Sequence, residues 1–163
     1  MDDRAVVKRQ LGRSPRAFGR VAVRCPFGLP AVTEQTPYDP DGEPFPTTYY
    51  LTCPHLVAAV ARLEAAGGVE RWSGAVRDEA LAASLERATD EQRRIRRELA
   101  GDERGTDGGA SLDLGIGGSR NPAHLKCLHA HVAYALARPG YELGEHIVAE
   151  VADPWPTDRC CSV

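Results

Sequence analysis

Hydrophobic and polar positions in the first third of the chain follow the two-residue period of β-strands. In residues 18–24 the valines alternate with alanine or arginine, which predicts a strand with two different faces. A proline-bounded turn at 25–30 separates it from a weaker strand pattern at 31–36. The β-branched and aromatic run at 47–52 predicts a third strand. We expect residues from about 18 to 52 to form one small, mostly antiparallel β-sheet.

Outside this region the apolar positions recur at intervals of three or four residues, as in amphipathic helices. A short helix is predicted at 3–11, and a further short one at 143–151. Three longer helices are predicted at 54–66, 75–99 and 122–137. Glycine pairs or proline follow the ends of several of these segments, while Asn121 and Pro122 are typical of a helix start. The pattern therefore predicts an α+β fold in which three to five helices pack with the sheet.

The longest predicted helix, 75–99, has a clear apolar face and a basic face. Its apolar positions are Leu81, Leu85, Ala88, Ile95 and Leu99, and its solvated face contains Arg93, Arg94, Arg96 and Arg97. The glycine-rich stretch at 101–118 that follows predicts a flexible loop.

Size and charge limit the classes of function. A chain of 163 residues and 17.6 kDa is expected to form one domain, 1–152, followed by a flexible tail, 153–163. No apolar run approaches the roughly 20 residues of a membrane-spanning helix, and the charged N-terminus is unlike a secretory signal, so we expect a cytoplasmic protein with no membrane contact. The net charge of −3, and a basic N-terminal segment in which only Phe18 is aromatic, disfavour nucleic-acid binding.

Three of the five cysteines occupy unusual local settings. Cys25 and Cys53 each follow a predicted strand and precede a proline, and Cys53 also stands where a helix begins. Cys127 lies beside Lys126, near the start of the predicted helix 122–137. The positive ends of helices favour thiolates, which are the metal-binding form of cysteine.

We therefore expect Cys25, Cys53 and Cys127 to converge as ligands of a metal centre, either zinc or a [4Fe–4S] cluster. The alternative is that they are ordinary core residues, since reduced cysteine is commonly buried as a small apolar side chain. The odd number of cysteines disfavours a disulfide framework, and Cys160 and Cys161 fall in the predicted tail.

The histidines extend the candidate site. If 122–137 is one helix, His124, Cys127 and His131 share a face, and His129 lies about 200° around the axis from Cys127. His129 would then point away from Cys127.

Four blocks of sequence resemble the DUF501 family, an actinobacterial family of unknown function. These blocks are RCPFGLP at 24–30, DGEPFPTTYYLTCP at 41–54, RLE at 62–64 and KCLH at 126–129. The resemblance extends over about residues 10–152 and implies no particular activity. Members are often encoded near a cell-division initiator protein and an exopolyphosphatase, which is an association and not a mechanism. The shared blocks contain Cys25, Cys53, Cys127 and His129 but not His124 or His131.

These observations favour a small metal or iron–sulfur protein, with a lyase or desulfidase-type reaction on a small anionic substrate as one possible activity. In this hypothesis His129, Arg24 and Lys126 line the centre and hold the substrate. A second hypothesis is a non-catalytic module linked to cell division, whose helix 75–99 docks a protein partner. A third is a metal-free thiol enzyme that uses Cys127 or Cys53 as its nucleophile.

Overall fold

The computed structural model describes residues 2–121, 123–151 and Trp155. The fold is α+β, with six α-helices and three strands in the described parts of the chain. In chain order the elements are α1 (Asp3–Leu11), β1 (Phe18–Arg24), β2 (Pro30–Gln35), β3 (Tyr49–Leu51), α2 (Pro54–Ala65), α3 (Gly68–Gly74), α4 (Glu79–Ala100), α5 (Leu128–Ala137) and α6 (Glu142–Glu150).

The three strands form an antiparallel sheet in the order β1-β2-β3, as predicted. Val32, in the middle strand, is paired with Val23 on one side and Leu51 on the other. All six residues of β2 are buried, and both α1 and α5 contact this strand. Because neither face of β2 is exposed, its polar residues Thr33, Glu34 and Gln35 are buried like the apolar ones, and the strand shows no alternation between a buried and a solvated face.

Helix α5 lies at the centre of the packing. It contacts all three strands as well as α2 and α6. Seven of its ten residues are buried, and they are Leu128, Ala130, His131, Val132, Ala133, Tyr134 and Ala135. A helix that is apolar nearly all round is typical of an interior position.

The predicted start of α5 is wrong. Asn121 does cap a turn, because its side-chain oxygen accepts from the Ala123 N–H at 3.1 Å, but this turn does not continue as a helix. Residues 123–126 are irregular, and Cys127 is the N-cap of α5 with an extended backbone (φ −157°, ψ 125°). His124, Cys127 and His131 therefore do not share one helical face.

The long helix α4 starts later than predicted, after a 3₁₀ turn at Ala75–Arg77. Asp78 is its N-cap, and the carboxylate accepts from the backbone N–H groups of Ala80 and Leu81 at 2.9 and 3.1 Å. Leu85, Ala88 and Ile95 are buried as predicted, whereas Leu99 is 41% exposed.

The prediction for Arg96 is wrong, because its side chain is fully buried and not part of a solvated face. Its guanidinium donates to the Phe45 carbonyl at 3.0 Å and contacts Thr48 Oγ1 at 3.4 Å. Burial lowers the pKa of Arg96 to about 10.

Two other regions differ from the sequence-based expectation. Residues 68–74, which begin at the second glycine of the Gly67-Gly68 pair, form the additional helix α3. The glycine-rich stretch contains two 3₁₀ turns, Ala110–Asp113 and Ile116–Gly118, and is tied to the sheet region by a 2.9 Å hydrogen bond from the Tyr38 hydroxyl to Asp107. Apart from Trp155, the predicted tail lies outside the described residues, including Cys160 and Cys161. None of the described helices combines the length and the apolar character needed to cross a bilayer.

Candidate metal centre

Glu64, Cys127 and His129 form a cluster where α2 meets the start of α5. Glu64 lies in the last turn of α2, Cys127 is the N-cap of α5, and His129 is in the first turn of α5. The ligand atoms of the three side chains lie within 4.8 Å of one another. The cluster therefore has the size of a single-ion metal site.

Each of the three ligand atoms of the cluster lies close to the other two. His129 Nδ1 is 2.8 Å from Glu64 Oε1 and 3.6 Å from Cys127 Sγ. Cys127 Sγ is also 3.6 Å from Glu64 Oε1. One carboxylate oxygen, one ring nitrogen and one sulfur therefore converge on the same point.

Two backbone groups hold these side chains in place. The Leu128 N–H donates to Glu64 Oε1 at 3.0 Å, which places the carboxylate at the positive end of α5. His129 Nε2 is 3.2 Å from the carbonyl of Val57, which lies about two turns before Glu64 in α2. Because a carbonyl can only accept, Nε2 carries a proton, and because the Glu64 carboxylate also accepts, Nδ1 carries one as well, so the ring is an imidazolium.

The neighbours of His129 in the cluster shift the pKa of its ring. Its hydrogen bond with Cys127 raises the pKa of His129 to about 9; burial opposes this shift, and the hydrogen bond with Glu64 adds to it. The His129 and Glu64 side chains are 26% and 28% exposed, so the cluster is accessible from one side.

That side is a cleft of about 640 Å³ whose lining includes Cys127 and His129. Hydroxyl-bearing residues form much of the rest of its lining, namely Thr47, Tyr49, Tyr50 and Thr52. The remaining lining residues are apolar or small, except for the amide of Gln10. Clefts of this size, with an apolar lining and a few polar groups, are typical of small-molecule sites.

The structure brings Cys127 and His129 together, although the sequence predicted that His129 would point away. The difference follows from the later start of α5. Cys127 precedes the helix and has an extended backbone. The rotation of 100° per residue within a helix therefore does not set the direction of its side chain relative to that of His129. The prediction that His129 points elsewhere is wrong for this reason.

Cys25 and Cys53 lie in the hydrophobic core, where they are 5% and 2% exposed. The Cys25 N–H closes the turn after β1 by donating to the Leu29 carbonyl at 2.9 Å, and Cys53 is the N-cap of α2 as predicted. Among the residues that the structure describes, the only metal-sized group of three ligand side chains contains Cys127 and neither of the other two cysteines. A centre shared by all three cysteines stays a prediction.

Arg24 and Lys126 do not line the cleft. The Arg24 guanidinium forms two hydrogen bonds with the Asp3 carboxylate, at 2.9 and 2.7 Å, and this pairing holds the pKa of Asp3 below its usual range. Lys126 is exposed to solvent. Their predicted role in holding an anionic substrate stays a prediction.

Glu64 is the site residue that the sequence analysis missed. It belongs to the RLE block at 62–64, but an acidic residue on a helix surface has no distinctive spacing to cysteine or histidine. One local signal was present, since a carboxylate in the last turn of α2 opposes the helix dipole. Such an unfavourable position indicates that the carboxylate has a partner outside its own helix.

Comparison with known proteins gives one match. The family model described as "Protein of unknown function (DUF501)" matches residues 21–152, which include all of the residues of the cluster and most of the cleft. No curated protein and no solved structure matches the chain.

Proposed function

The chain belongs to the DUF501 family, which has no assigned activity, and we propose from its geometry that it binds one divalent metal ion through Cys127, His129 and Glu64. Zinc is the ion that best suits one sulfur, one imidazole nitrogen and one carboxylate oxygen. The fourth coordination position would open to the cleft, where the ion would act as a Lewis acid on a small molecule. The observation that carries the proposal is the mutual approach of the three ligand atoms.

The separations within the cluster support tetrahedral zinc. Bonds of about 2.3 Å to sulfur and about 2.0–2.2 Å to nitrogen or oxygen separate pairs of ligand atoms by about 3.3–3.6 Å at the tetrahedral angle. The two distances from Cys127 Sγ, both 3.6 Å, match this spacing. Only the 2.8 Å contact between Glu64 and His129 would have to widen, by about half an ångström.

The surroundings of the ligands also support the proposal. A histidine that binds metal typically donates its other ring N–H to a carbonyl or carboxylate, as His129 does to Val57. Carboxylate ligands are themselves commonly hydrogen-bonded, as Glu64 is by the Leu128 N–H.

Charge favours a metal site over a metal-free thiol enzyme. Cys127 at a helix N-terminus, 3.6 Å from His129, does resemble an activated nucleophile and its base. However, Glu64 lies equally close to the sulfur, and a neighbouring carboxylate disfavours a thiolate. A divalent cation that replaces the proton on His129 Nδ1 would carry two positive charges instead of one and would neutralise both anionic ligands.

Metal analysis of purified variants tests the proposal. Protein produced in zinc-supplemented medium is expected to contain about one zinc per chain, and Cys127→Ser, His129→Gln and Glu64→Gln are each expected to lose it. Matched controls are Cys25→Ala and Cys53→Ala, which change thiols outside the cluster, and both should retain the metal.

Three results would contradict this assignment. A wild-type protein that contains no metal, and does not take up zinc, would leave the thiol-enzyme and partner-docking hypotheses. Zinc that is lost in Cys25→Ala and Cys53→Ala but retained in Glu64→Gln would support the three-cysteine centre. Iron with acid-labile sulfide would support a cluster.

A further inference from the structure

Arg13, at the rim of the cleft, is an exposed cation that forms no ion pair with any described residue. Its guanidinium lies 3.4 Å from the hydroxyl of Tyr50, which lines the cleft. The next three arginines along the chain each pair with a carboxylate at 2.7–3.1 Å, and these pairs are Arg16 with Asp39, Arg20 with Glu34 and Arg24 with Asp3. The Arg13 guanidinium is therefore free to bind an anionic group.

The end of α1 fixes the position of Arg13 relative to the cleft. The last two residues of α1 line the cleft, and Gly12 then ends the helix in the left-handed conformation (φ 70°, ψ 9°). A C-cap of this kind turns the chain away from the helix, so Arg13 follows the lining directly. The Tyr50 ring packs edge-on against Phe45, with the ring centroids 6.0 Å apart, which restricts the position of its hydroxyl.

The carboxylates that contact lining residues already have partners. Glu34 accepts from the Tyr49 hydroxyl at 3.2 Å and pairs with Arg20 at 2.9 Å. Glu64 is hydrogen-bonded within the metal-site cluster. No aspartate or glutamate of the described chain lines the cleft itself. An anionic ligand would therefore meet an unpaired guanidinium at the rim and no unpaired carboxylate in the lining.

We propose that the cleft binds a small carboxylic acid with a largely apolar body, and that Arg13 and Tyr50 hold its carboxylate. The Tyr50 hydroxyl can accept from Arg13 and donate its own proton to the carboxylate. One guanidinium matches the single charge of a carboxylate, whereas a phosphate monoester carries nearly two. The rest of the ligand would extend toward Cys127, His129 and the metal ion, and this part of the inference rests on the proposed function. Arg13 is thus assigned as a specificity-determining residue.

Three probes that differ in their polar end test the ligand class, namely hexanoate, hexanamide and butyl phosphate. Binding of each is measured by titration in ¹H–¹⁵N correlation spectra of the full chain. The protein is first treated with a chelator, so that a carboxylate cannot bind through a metal ion. We expect hexanoate to shift the resonances of cleft residues and to bind about five-fold more tightly than hexanamide, as expected for one partly exposed ion pair, and more tightly than butyl phosphate.

Two arginine variants test the role of Arg13. Arg13→Gln should remove the preference for hexanoate while hexanamide still binds, which shows that the cleft is intact. Arg9→Gln is the matched control, because Arg9 is also exposed, belongs to α1 and does not line the cleft. It changes the net charge by the same amount and should leave the preference unchanged. Tyr50→Phe should weaken the binding of hexanoate more than that of hexanamide.

The inference is overturned if hexanamide binds as tightly as hexanoate, if butyl phosphate binds more tightly than either, if Arg13→Gln and Arg9→Gln reduce the preference equally, or if no probe shifts cleft residues. Zinc uptake is measured on the same preparations, so the outcome is separable from the metal proposal. Selective binding of hexanoate by a chain that takes up no zinc would support the ligand class and refute the metal site. Zinc uptake without this selectivity would refute the ligand class alone.

Discussion

Acid sensitivity should arise from one buried histidine of the central helix. His131 is 2% exposed, and burial lowers its pKa to about 4 from the ordinary value of 6.5. Its Nδ1 lies 2.7 Å from the hydroxyl of Tyr141, whose own pKa burial raises. The neutral ring therefore accepts a hydrogen bond from Tyr141, and protonation of Nδ1 would remove this acceptor.

The sign and size of the effect follow from linkage. Because the pKa is lower in the folded protein, the unfolded chain binds the proton first as the pH falls, and stability is lost from about pH 6.5 down to about pH 4. The full shift corresponds to roughly 3 kcal/mol at about 1.4 kcal/mol per pKa unit. Between about pH 7.5 and about pH 5, the free energy of unfolding should fall by roughly 2 kcal/mol through this residue alone.

Urea unfolding across this pH range measures the effect in the wild type and in His131→Asn, whose amide oxygen can still accept from Tyr141. His131→Asn removes the titrating ring, so only the wild type should lose the roughly 2 kcal/mol that this residue contributes. The free energies of unfolding of the two proteins will differ at about pH 7.5, and this difference should shrink by roughly 2 kcal/mol at about pH 5. His146→Asn, at an exposed position, should leave the curve unchanged. A constant difference between wild type and His131→Asn at every pH would refute the reasoning.

Further predictions concern the elements that position the site. Gly68→Ala should destabilise the protein by about 1–3 kcal/mol, because the new Cβ would lie 2.6 Å from the Leu63 carbonyl oxygen and 2.9 Å from Leu128 Cδ1. Gly74→Ala, with nothing within 4 Å, should be neutral or slightly stabilising in the same thermal unfolding assay, and equal losses in both variants would contradict the steric argument. Asp78→Ala should cost about 1 kcal/mol through loss of the α4 N-cap, whereas Asp78→Asn should retain most of that stability in chemical unfolding; similar losses in both would show that the cap is not the cause.

The sequence predicts the fold well where one local signal dominates. The strand 18–24, the helix at 3–11 and the start of α2 after Cys53 match closely, because alternation, a glycine and a proline each mark them. It fails for Arg96, whose burial depends on a carbonyl at Phe45 that is distant in sequence. A contact between residues this far apart in sequence does not change the periodic pattern of hydrophobic and polar positions.

The candidate site is predicted only in part for the same reason. Cys127 and His129 are evident from the sequence, but their approach depends on where α5 begins. The start of α5 was misplaced because the Asn121 cap is real and holds only a single turn. Glu64 joins them through the packing of α2 against α5, which residue spacing along the chain does not reveal.

X-ray absorption at the zinc edge is the most direct test of the central claim, that Cys127, His129 and Glu64 together hold one metal ion. The account predicts one sulfur at about 2.3 Å and two or three nitrogen or oxygen atoms at about 2.0–2.2 Å, with the sulfur contribution absent from any zinc that remains in Cys127→Ser. A first shell of two or more sulfurs, or a protein that fails to bind zinc at all, would contradict it.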